Sequence, residues 1–483
     1  MTLSSTIKWG IAAGTHDGSL AVIDDDKILF ASHTERYSRV KNDAHLNEEI
    51  INAALEYGEP NKIYWYEKPV LKAMRKLYAG QPNIWMNPRK YLESYGINKR
   101  IEYVKHHDSH AAAGFATSKF DSAAVLVIDA IGEFTTTSIS LYKNKTGNRF
   151  SHKVLYERKY PESLGLFYSA ITDRAGLKPN EEEYILMGMS AYGRPRWVND
   201  MRGMLKNGFN FHKGCRRFFP EADNFDLAKS AQIVYEEEFL KLIKKAKELT
   251  GENNLVVMGG CALNCLANTW AFEYFDNVWI MPNPGDAGSS IGAIAAAEKQ
   301  KLNWLTPYLG YNIEGKYPVA KALDELLTNK IVGVASGRAE FGPRALGNRS
   351  LLADPTGKQM KDVVNKIKKR QEFRPFAPVI LQSEVHNYFN VERGFKSPYM
   401  QYIVTAKDPN IYPAIVHADG SSRVQTVTRE QHPGLWRLLT QYKKHTGTPM
   451  LLNTSLNIKG EPMVNSRLDA DKFEKTYSVK VVS

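Results

Sequence analysis

"KWGIAAGTHDGSLAVIDDDKILFAS", residues Lys8–Ser32, reads as strand, small-residue turn, strand, acidic turn and strand. A similar unit returns at Ser122–Lys143, "SAAVLVIDAIGEFTTTSISLYK", as strand, acidic turn with Gly132, and Thr-rich strand. Two such units in one chain point to an internally duplicated α/β domain. His16 lies in the turn of the first hairpin and Asp129 in the turn of the second.

A hairpin opening each half, its turn facing a nucleotide's phosphates, is the arrangement of actin-like folds such as sugar kinases and Hsp70. Two strand–turn–helix junctions follow, "NLVVMGGCALNCLANTWAF" (Asn254–Phe272) and "VWIMPNPGDAGSSIGAIAAAEK" (Val278–Lys299). Such junctions expose backbone N–H groups at a helix N-terminus, where phosphates bind. "KPVLKAMRKLYAG" and "NPRKYLESYG" read as basic amphipathic helices, and "AKSAQIVYEEEFLKLIKKAKELTG" as a long helix ending at Gly251. The turn-rich stretch "KLNWLTPYLGYNIEGKYP" has no period, which places a domain boundary near residue 310. The expected organisation is therefore residues 1–310 followed by a second α/β domain, residues 311–483.

At 483 residues the chain is too long for one average domain. No apolar run reaches the roughly 18 residues that span a bilayer, and the N-terminus lacks a charged leader, so a cytoplasmic protein is expected. Three cysteines give no disulfide framework, and Cys261 and Cys265 read as core residues rather than zinc ligands. The net charge is +12, most of it in the last third. Something anionic is handled there.

The chemistry concentrates in two sets of residues. In "KHHDSHAAAGF" (Lys105–Phe115), His106 and His110 share one helical face, a sound metal-ligand spacing. Without the glutamate of His-Glu-x-x-His, a metalloprotease lacks its base. With Asp129 and Asp286 the pair makes an N/O set suited to Fe(II), Mn or Zn; the competing reading is a polar helix start. His107 would then point away, into a supporting or surface role. His16 could take a proton from an attacking hydroxyl, or simply bond its own turn. The second set is Arg344 in "FGPRALG", Lys368 and Arg370 in "KIKKRQ", Arg374 in "FRPFAP", Arg423 in "SSRVQ", and Asn453 with Ser455 in "LNTSLN". Arginine forks and a lysine point charge suit phosphate oxygens. "KIKKR" by itself would read as a solvated helix face.

Taken in order, "HHDSHAAAGF", "VIDAIGE", "MGMSAYG", "GGCALNCLAN", "GDAGSSIGA", "GRAEFGPRALGNRSLLADP", "FRPFAP" and "NTSLNIKGEP" resemble the NodU/CmcH-type O-carbamoyltransferases over nearly the whole chain. The resemblance implies an actin-like, Kae1-like domain followed by a YrdC-like twisted α/β domain that makes carbamoyl-adenylate. It implies an iron or other divalent metal on His106, His110, Asp129 and Asp286, and His16 as base. Arg344, Lys368, Arg370, Arg374, Arg423, Asn453 and Ser455 would grip carbamoyl phosphate and ATP with its magnesium. Gly259, Gly260 and Asn264 would touch a nucleotide in the first domain. Gln371 departs from the pattern, standing where relatives commonly carry an acidic residue, and the chain stops soon after "KGEPMV".

The implied reaction joins carbamoyl phosphate and ATP into carbamoyl-adenylate and passes the carbamoyl group to an alcohol. A small-molecule kinase shares the hairpins but leaves the motifs beyond residue 330 unexplained. A non-enzymatic nucleotide-binding module needs no convergent Arg/His/Asp set. The acceptor is open between a sugar-bearing or antibiotic-like small molecule and a 5-hydroxymethylpyrimidine in DNA. The DNA reading rests on the charge and on basic segments with interleaved aromatics, such as "KAMRKLYAG", "NPRKYLESYGINKR" and "GCRRFF". A homodimer is the other partner expected.

Overall fold

Both opening hairpins form, and each grows into a sheet of the same design. A computed structural model describes residues 6–82, 85–357 and 359–483 of the chain. Ile7–Ala12 (β1), Ser19–Asp24 (β2) and Lys27–His33 (β3) pair antiparallel, while Lys62–Trp65 (β4) and Ile101–Tyr103 (β5) add parallel to β1, in the order β3-β2-β1-β4-β5. Ser122–Ile128 (β6), Thr135–Lys145 (β7), Arg149–Lys159 (β8), Asn254–Met258 (β9) and Asn277–Trp279 (β10) repeat it as β8-β7-β6-β9-β10, with the same strand directions. Leu20, Ala21, Val22 and Ile23 are all fully buried, so β2 is covered on both faces.

The helix Ser289–Glu298 and the helix Glu48–Leu55 pack on β2, and two Ala/Gly-rich helices set the packing of the unit. His106–Thr117 packs on β9 through Gly114, where a Cβ would meet Val256 and Met258 side chains at 2.5 and 2.6 Å. Ser289–Glu298 packs on β1, where a Cβ on Gly10 would lie 1.8 Å from the Ser290 carbonyl oxygen. The helices meet each other at Gly292, whose Cβ would fall 1.8 Å from the Ser109 carbonyl oxygen and 2.9 Å from Ala113 Cβ. Small side chains therefore set how closely the helices carrying the histidines and following Asp286 approach. Gly292→Ala is expected to cost about 1–3 kcal/mol, the usual range for overpacking. A urea midpoint unchanged from native would refute it.

The chain divides into two compact units, one running to Leu305 without Arg39–Lys41, the other made of Arg39–Lys41 with Thr306–Ser483. The second contains Tyr308–Ile313 (β11), Ile331–Ala335 (β12), Gly337–Glu340 (β13), Arg349–Ala353 (β14), Ala377–Leu381 (β15), Ile403–Thr405 (β16), Ser421–Arg423 (β17), Gln425–Val427 (β18), Met450–Ser455 (β19) and Val481–Val482 (β20). Six of these form a mixed sheet, β18-β15-β19-β14-β12-β20. Alternate strand residues supply two cores: Leu351, Ile380 and Leu452 to one, Leu352, Val379 and Leu451 to the other. Arg349 is fully buried and donates to the carbonyls of Tyr311, Ser336, Gly337, Asn348 and Asn465, which ties strands and loops together. Among the described residues, no helix is long and apolar enough to cross a membrane.

Candidate functional site

In the first unit, four side chains converge. His106 and His110 stand on the first turn and a half of their helix, Asp129 follows β6, and Asp286 precedes the helix Ser289–Glu298. His106 Nε2 is 2.9 Å from Asp129 Oδ2, and His110 Nε2 is 3.2 Å from Asp286 Oδ1 and 3.1 Å from His106 Nε2. One ligand atom from each residue lies within 4.8 Å of all the others. His110 Nδ1 donates to the Pro284 carbonyl at 3.2 Å, which turns the Nε2 lone pair toward the centre. Gly132 leaves room for the His106 ring, since a Cβ there would lie 2.8 Å from His106 Cδ2.

Electrostatics in this cluster favour a cation. Burial of His110 works to lower its pKa, but hydrogen bonds to Asp129 and Asp286 and the charges of both carboxylates push it up to about 9. Burial likewise opposes ionisation of Asp129, yet the His106 and His110 hydrogen bonds hold it well below the usual carboxylate range. Protons on the imidazoles thus balance the carboxylates, and a divalent ion would displace them. Two imidazole nitrogens and two carboxylate oxygens converging at these distances fit such an ion, with mixed N/O preference. It is the one cluster of this kind among the described residues. Cys215, Cys261 and Cys265 are free thiols.

The neighbours of the cluster are less uniform. His107 is buried, against the surface alternative, with Nδ1 2.9 Å from Ser138 Oγ; burial and the adjacent His106 keep its pKa well below the usual value. His16 Nδ1 is 3.0 Å from Asp17 Oδ2. Burial lowers its pKa, but Asp17, with a smaller contribution from Asp286, raises it overall to about 9. Gly259 has φ +89°, and a Cβ there would lie 2.1 Å from the Ile128 carbonyl oxygen, so only glycine passes under β6. Gly260 N–H donates to Asp129 Oδ1 at 3.3 Å, supporting the cluster. Asn264 is committed elsewhere: its Oδ1 caps Ala267 N–H at 3.2 Å and its amide pairs with Gln232 at 3.0–3.1 Å.

In the second unit Lys368 is buried at the end of the helix Met360–Lys368, while Lys366 and Lys369 beside it are exposed. Its Nζ donates to the Ser455 carbonyl (2.6 Å), Ser455 Oγ (3.0 Å) and Asn457 Oδ1 (2.6 Å). Burial, then Arg370 and Arg374, pull its pKa well below the usual value. Two residues back on β19, Asn453 donates to the Ala345 carbonyl (3.1 Å) and to Gln425 Oε1 (2.7 Å), while Gln425 donates to the Leu346 carbonyl (3.0 Å). These bonds seat the "FGPRALG" loop that carries Arg344. Glu340 shapes the same loop, accepting from the N–H groups of Leu346, Asn348 and Arg349 at 2.8–3.2 Å. Arg344, Arg374 and Arg423 are half-buried. Arg423 Nε and Asn453 Oδ1 are buried with no hydrogen-bond partner. Arg370 is spent on structure: it donates to Asn365 Oδ1 (2.7 Å) and the Pro375 carbonyl (3.1 Å) and lies over the Phe376 ring. Gln425, Asn457 and Glu340 escape a reading by sequence, because only cross-strand register brings them to this place.

Residues 76–295 match the family model "Carbamoyltransferase N-terminus" and residues 323–482 match "Carbamoyltransferase C-terminus". The chain belongs to the carbamoyltransferase family and is a carbamoyltransferase. Nodulation protein U of Sinorhizobium fredii (strain NBRC 101917 / NGR234) is 40% identical over 96% of each chain. Nodulation protein U of Rhizobium tropici is 38% identical over 92% of this chain and 90% of its own. A protein of Synechocystis, sll1178, is 33% identical over 95% and 93%.

Proposed function

We propose that this carbamoyltransferase works in two ATP-dependent steps, with an actin-like, Kae1-like first unit and a YrdC-like second unit. Support for the first fold is the repeated five-stranded sheet with one strand order and one pattern of directions. In the second unit, carbamoyl phosphate is hydrolysed to carbamate and phosphate. A carbamate oxygen then attacks the α-phosphorus of ATP, the bond to the bridging oxygen breaks, and pyrophosphate leaves. Lys368, Arg344, Arg374 and Arg423 offset the charge on the phosphates, and Asn453 Oδ1 accepts from the carbamoyl amide. Ser455 holds Lys368 in place. Arg370 fixes the turn that carries Arg374.

In the first unit the acceptor oxygen attacks the carbamoyl carbon, the bond to the adenylate oxygen breaks, AMP leaves, and the hydroxyl proton goes to His16 Nε2. His106, His110, Asp129 and Asp286 would hold Fe(II) or another divalent ion, which supplies Lewis-acid polarisation when bound. The product is an O-carbamate. The observation that supports this reading is the buried Lys368, held by Ser455 and Asn457 and under the charges of Arg370 and Arg374, in a family whose chemistry is carbamoyl transfer. Its test is pyrophosphate release from ATP, which must depend on carbamoyl phosphate. Release independent of carbamoyl phosphate, or none, refutes it.

His16 sets the pH dependence of the second step. With a pKa of about 9 it is protonated at neutral pH, so the base form appears as pH rises through that value. Asp17→Asn removes the main raising influence, and the rising limb of kcat/KM for transfer should move to lower pH. A limb that stays in place would show that His16 is not the base.

A further inference from the structure

The stretch from Lys68 to Leu92 contains Lys68, Lys72, Arg75, Lys76, Arg89 and Lys90; Glu67 and Glu93 flank it, and Glu67 is paired with Lys72. It includes the helices Pro69–Tyr78 and Pro88–Glu93. Met86 is seated on the turn of the first hairpin: a Cβ on Gly14 would lie 2.3 Å from its sulfur. Gly14, Trp65, Glu67, Lys72, Lys76 and Met86 line a pocket there, two residues from His16. Thr15 is bonded to the hydroxyl of Tyr66, whose ring is 5.4 Å from that of His106. The pocket is thus joined by direct contacts to the four-donor cluster.

Outside the pocket the same stretch exposes apolar groups that a solitary protein surface has no use for. Val70, Met74, Leu77 and Tyr78 follow one another along one face of the helix, each 56–71% exposed, and Trp85 beyond it is 58% exposed. Arg89 and Lys90 are exposed alongside. An aromatic and aliphatic platform flanked by cations, leading to a pocket, is the pattern that holds a nucleic-acid strand: phosphates on the cations, bases on the rings. A cationic small acceptor, such as an amino sugar, would be repelled by the same charges.

We propose that this surface is the acceptor site and that its ligand is a DNA strand presenting an unstacked base with a primary hydroxyl, as in a 5-hydroxymethylpyrimidine. The assignment rests on the carbamoyl-transfer reading given above. The pocket itself has room for little more than a water, so the base lies over its mouth at Met86 with its hydroxyl toward His16, Trp85 and Tyr78 stack on neighbouring bases, and Arg89 and Lys90 meet the backbone. Oxygen of the hydroxymethyl group displaces AMP from carbamoyl-adenylate, so no further co-reactant is required.

The test uses the full chain and a single-stranded oligonucleotide containing 5-hydroxymethylcytosine, with fluorescence anisotropy against salt and nucleoside mass analysis after reaction. Binding should weaken linearly in log–log form as salt rises, and Arg89→Glu with Lys90→Glu should flatten that slope by about 1.4, at roughly 0.7 per neutralised phosphate on a single strand. Trp85→Ala, at an exposed position, should weaken binding by roughly tenfold. Carbamoyl phosphate-dependent pyrophosphate release should be unchanged in both variants. Pyrophosphate release without salt-dependent binding and without a carbamoylated nucleoside overturns the DNA acceptor and leaves carbamoyl transfer standing. DNA binding that neither variant alters overturns this surface as the acceptor site. A native protein that binds the oligonucleotide but releases no carbamoyl phosphate-dependent pyrophosphate overturns the two-step reading instead.

Discussion

His110→Ala is expected to give a folded protein that binds no divalent ion and transfers no carbamoyl group, yet still releases pyrophosphate from ATP when carbamoyl phosphate is present. His110 Nε2 lies within 3.2 Å of both Asp286 Oδ1 and His106 Nε2, so its loss opens one side of the donor set. Changes in groups that merely orient a ligand cost about 10–100-fold in metal affinity, and losing a ligand costs more. Alanine suits a helix, but the change removes a buried imidazolium that balances Asp129 and Asp286, so circular dichroism and a melting curve first establish that the variant is folded. Metal content by elemental analysis, transfer by product mass and pyrophosphate release give three independent readings. Loss of pyrophosphate release with the fold intact would refute the assignment of the two steps to different units. A second consequence follows from the displaced protons: ion binding to the native cluster should release protons and weaken as pH falls, with His110 titrating near 9. Binding that strengthens on acidification would contradict the donor set.

Local signals carried much of this architecture. Alternating apolar residues and the "GTHDG" and "DAIG" turns mark the hairpins, and Gly251, at φ +67°, ends the helix Asn224–Thr250 as expected. The His106/His110 spacing shows one face of a helix. Elsewhere the local pattern misleads. "GGCALNCLANTWAF" promises a helix after β9, but the chain makes only short turns there, Gly260–Leu263, Cys265–Asn268 and Thr269–Glu273. Gly259 must pass beneath the Ile128 carbonyl, and Asn264 starts a new cap in place of continuing a helix. "KIKKR" reads as a solvated face, yet Lys368 is buried, because its helix ends against β19 from a strand more than eighty residues on. Glu340, Gln425 and Asn457 are invisible for the same reason. Their neighbours are set by strand register in a mixed sheet, and no spacing along the chain reports that.

Lys368→Met should raise the carbamoyl phosphate concentration needed for pyrophosphate release by roughly tenfold or more, since a charge-assisted hydrogen bond is worth about 1.5–3 kcal/mol. Methionine keeps the length of the side chain, so packing against the helix end is retained. What is lost is the amine held by the Ser455 carbonyl, Ser455 Oγ and Asn457 Oδ1, which becomes an ammonium when a phosphate binds beside it. The pH dependence supplies a second, sharper reading. Burial together with Arg370 and Arg374 holds the Lys368 pKa well below its ordinary value, so the free protein resists carrying a third positive charge there. A bound phosphate anion reverses that balance and raises the pKa, so binding should take up a proton and weaken as pH rises. Calorimetry of carbamoyl phosphate binding in buffers of different ionisation enthalpy measures the uptake directly. Native protein should show it, and Lys368→Met should not. If uptake is the same in both, the proton goes to another group and Lys368 is a structural amine bracing β19. A melting temperature that drops together with the uptake would not imitate the binding role, because instability alone does not change the proton stoichiometry of the folded fraction.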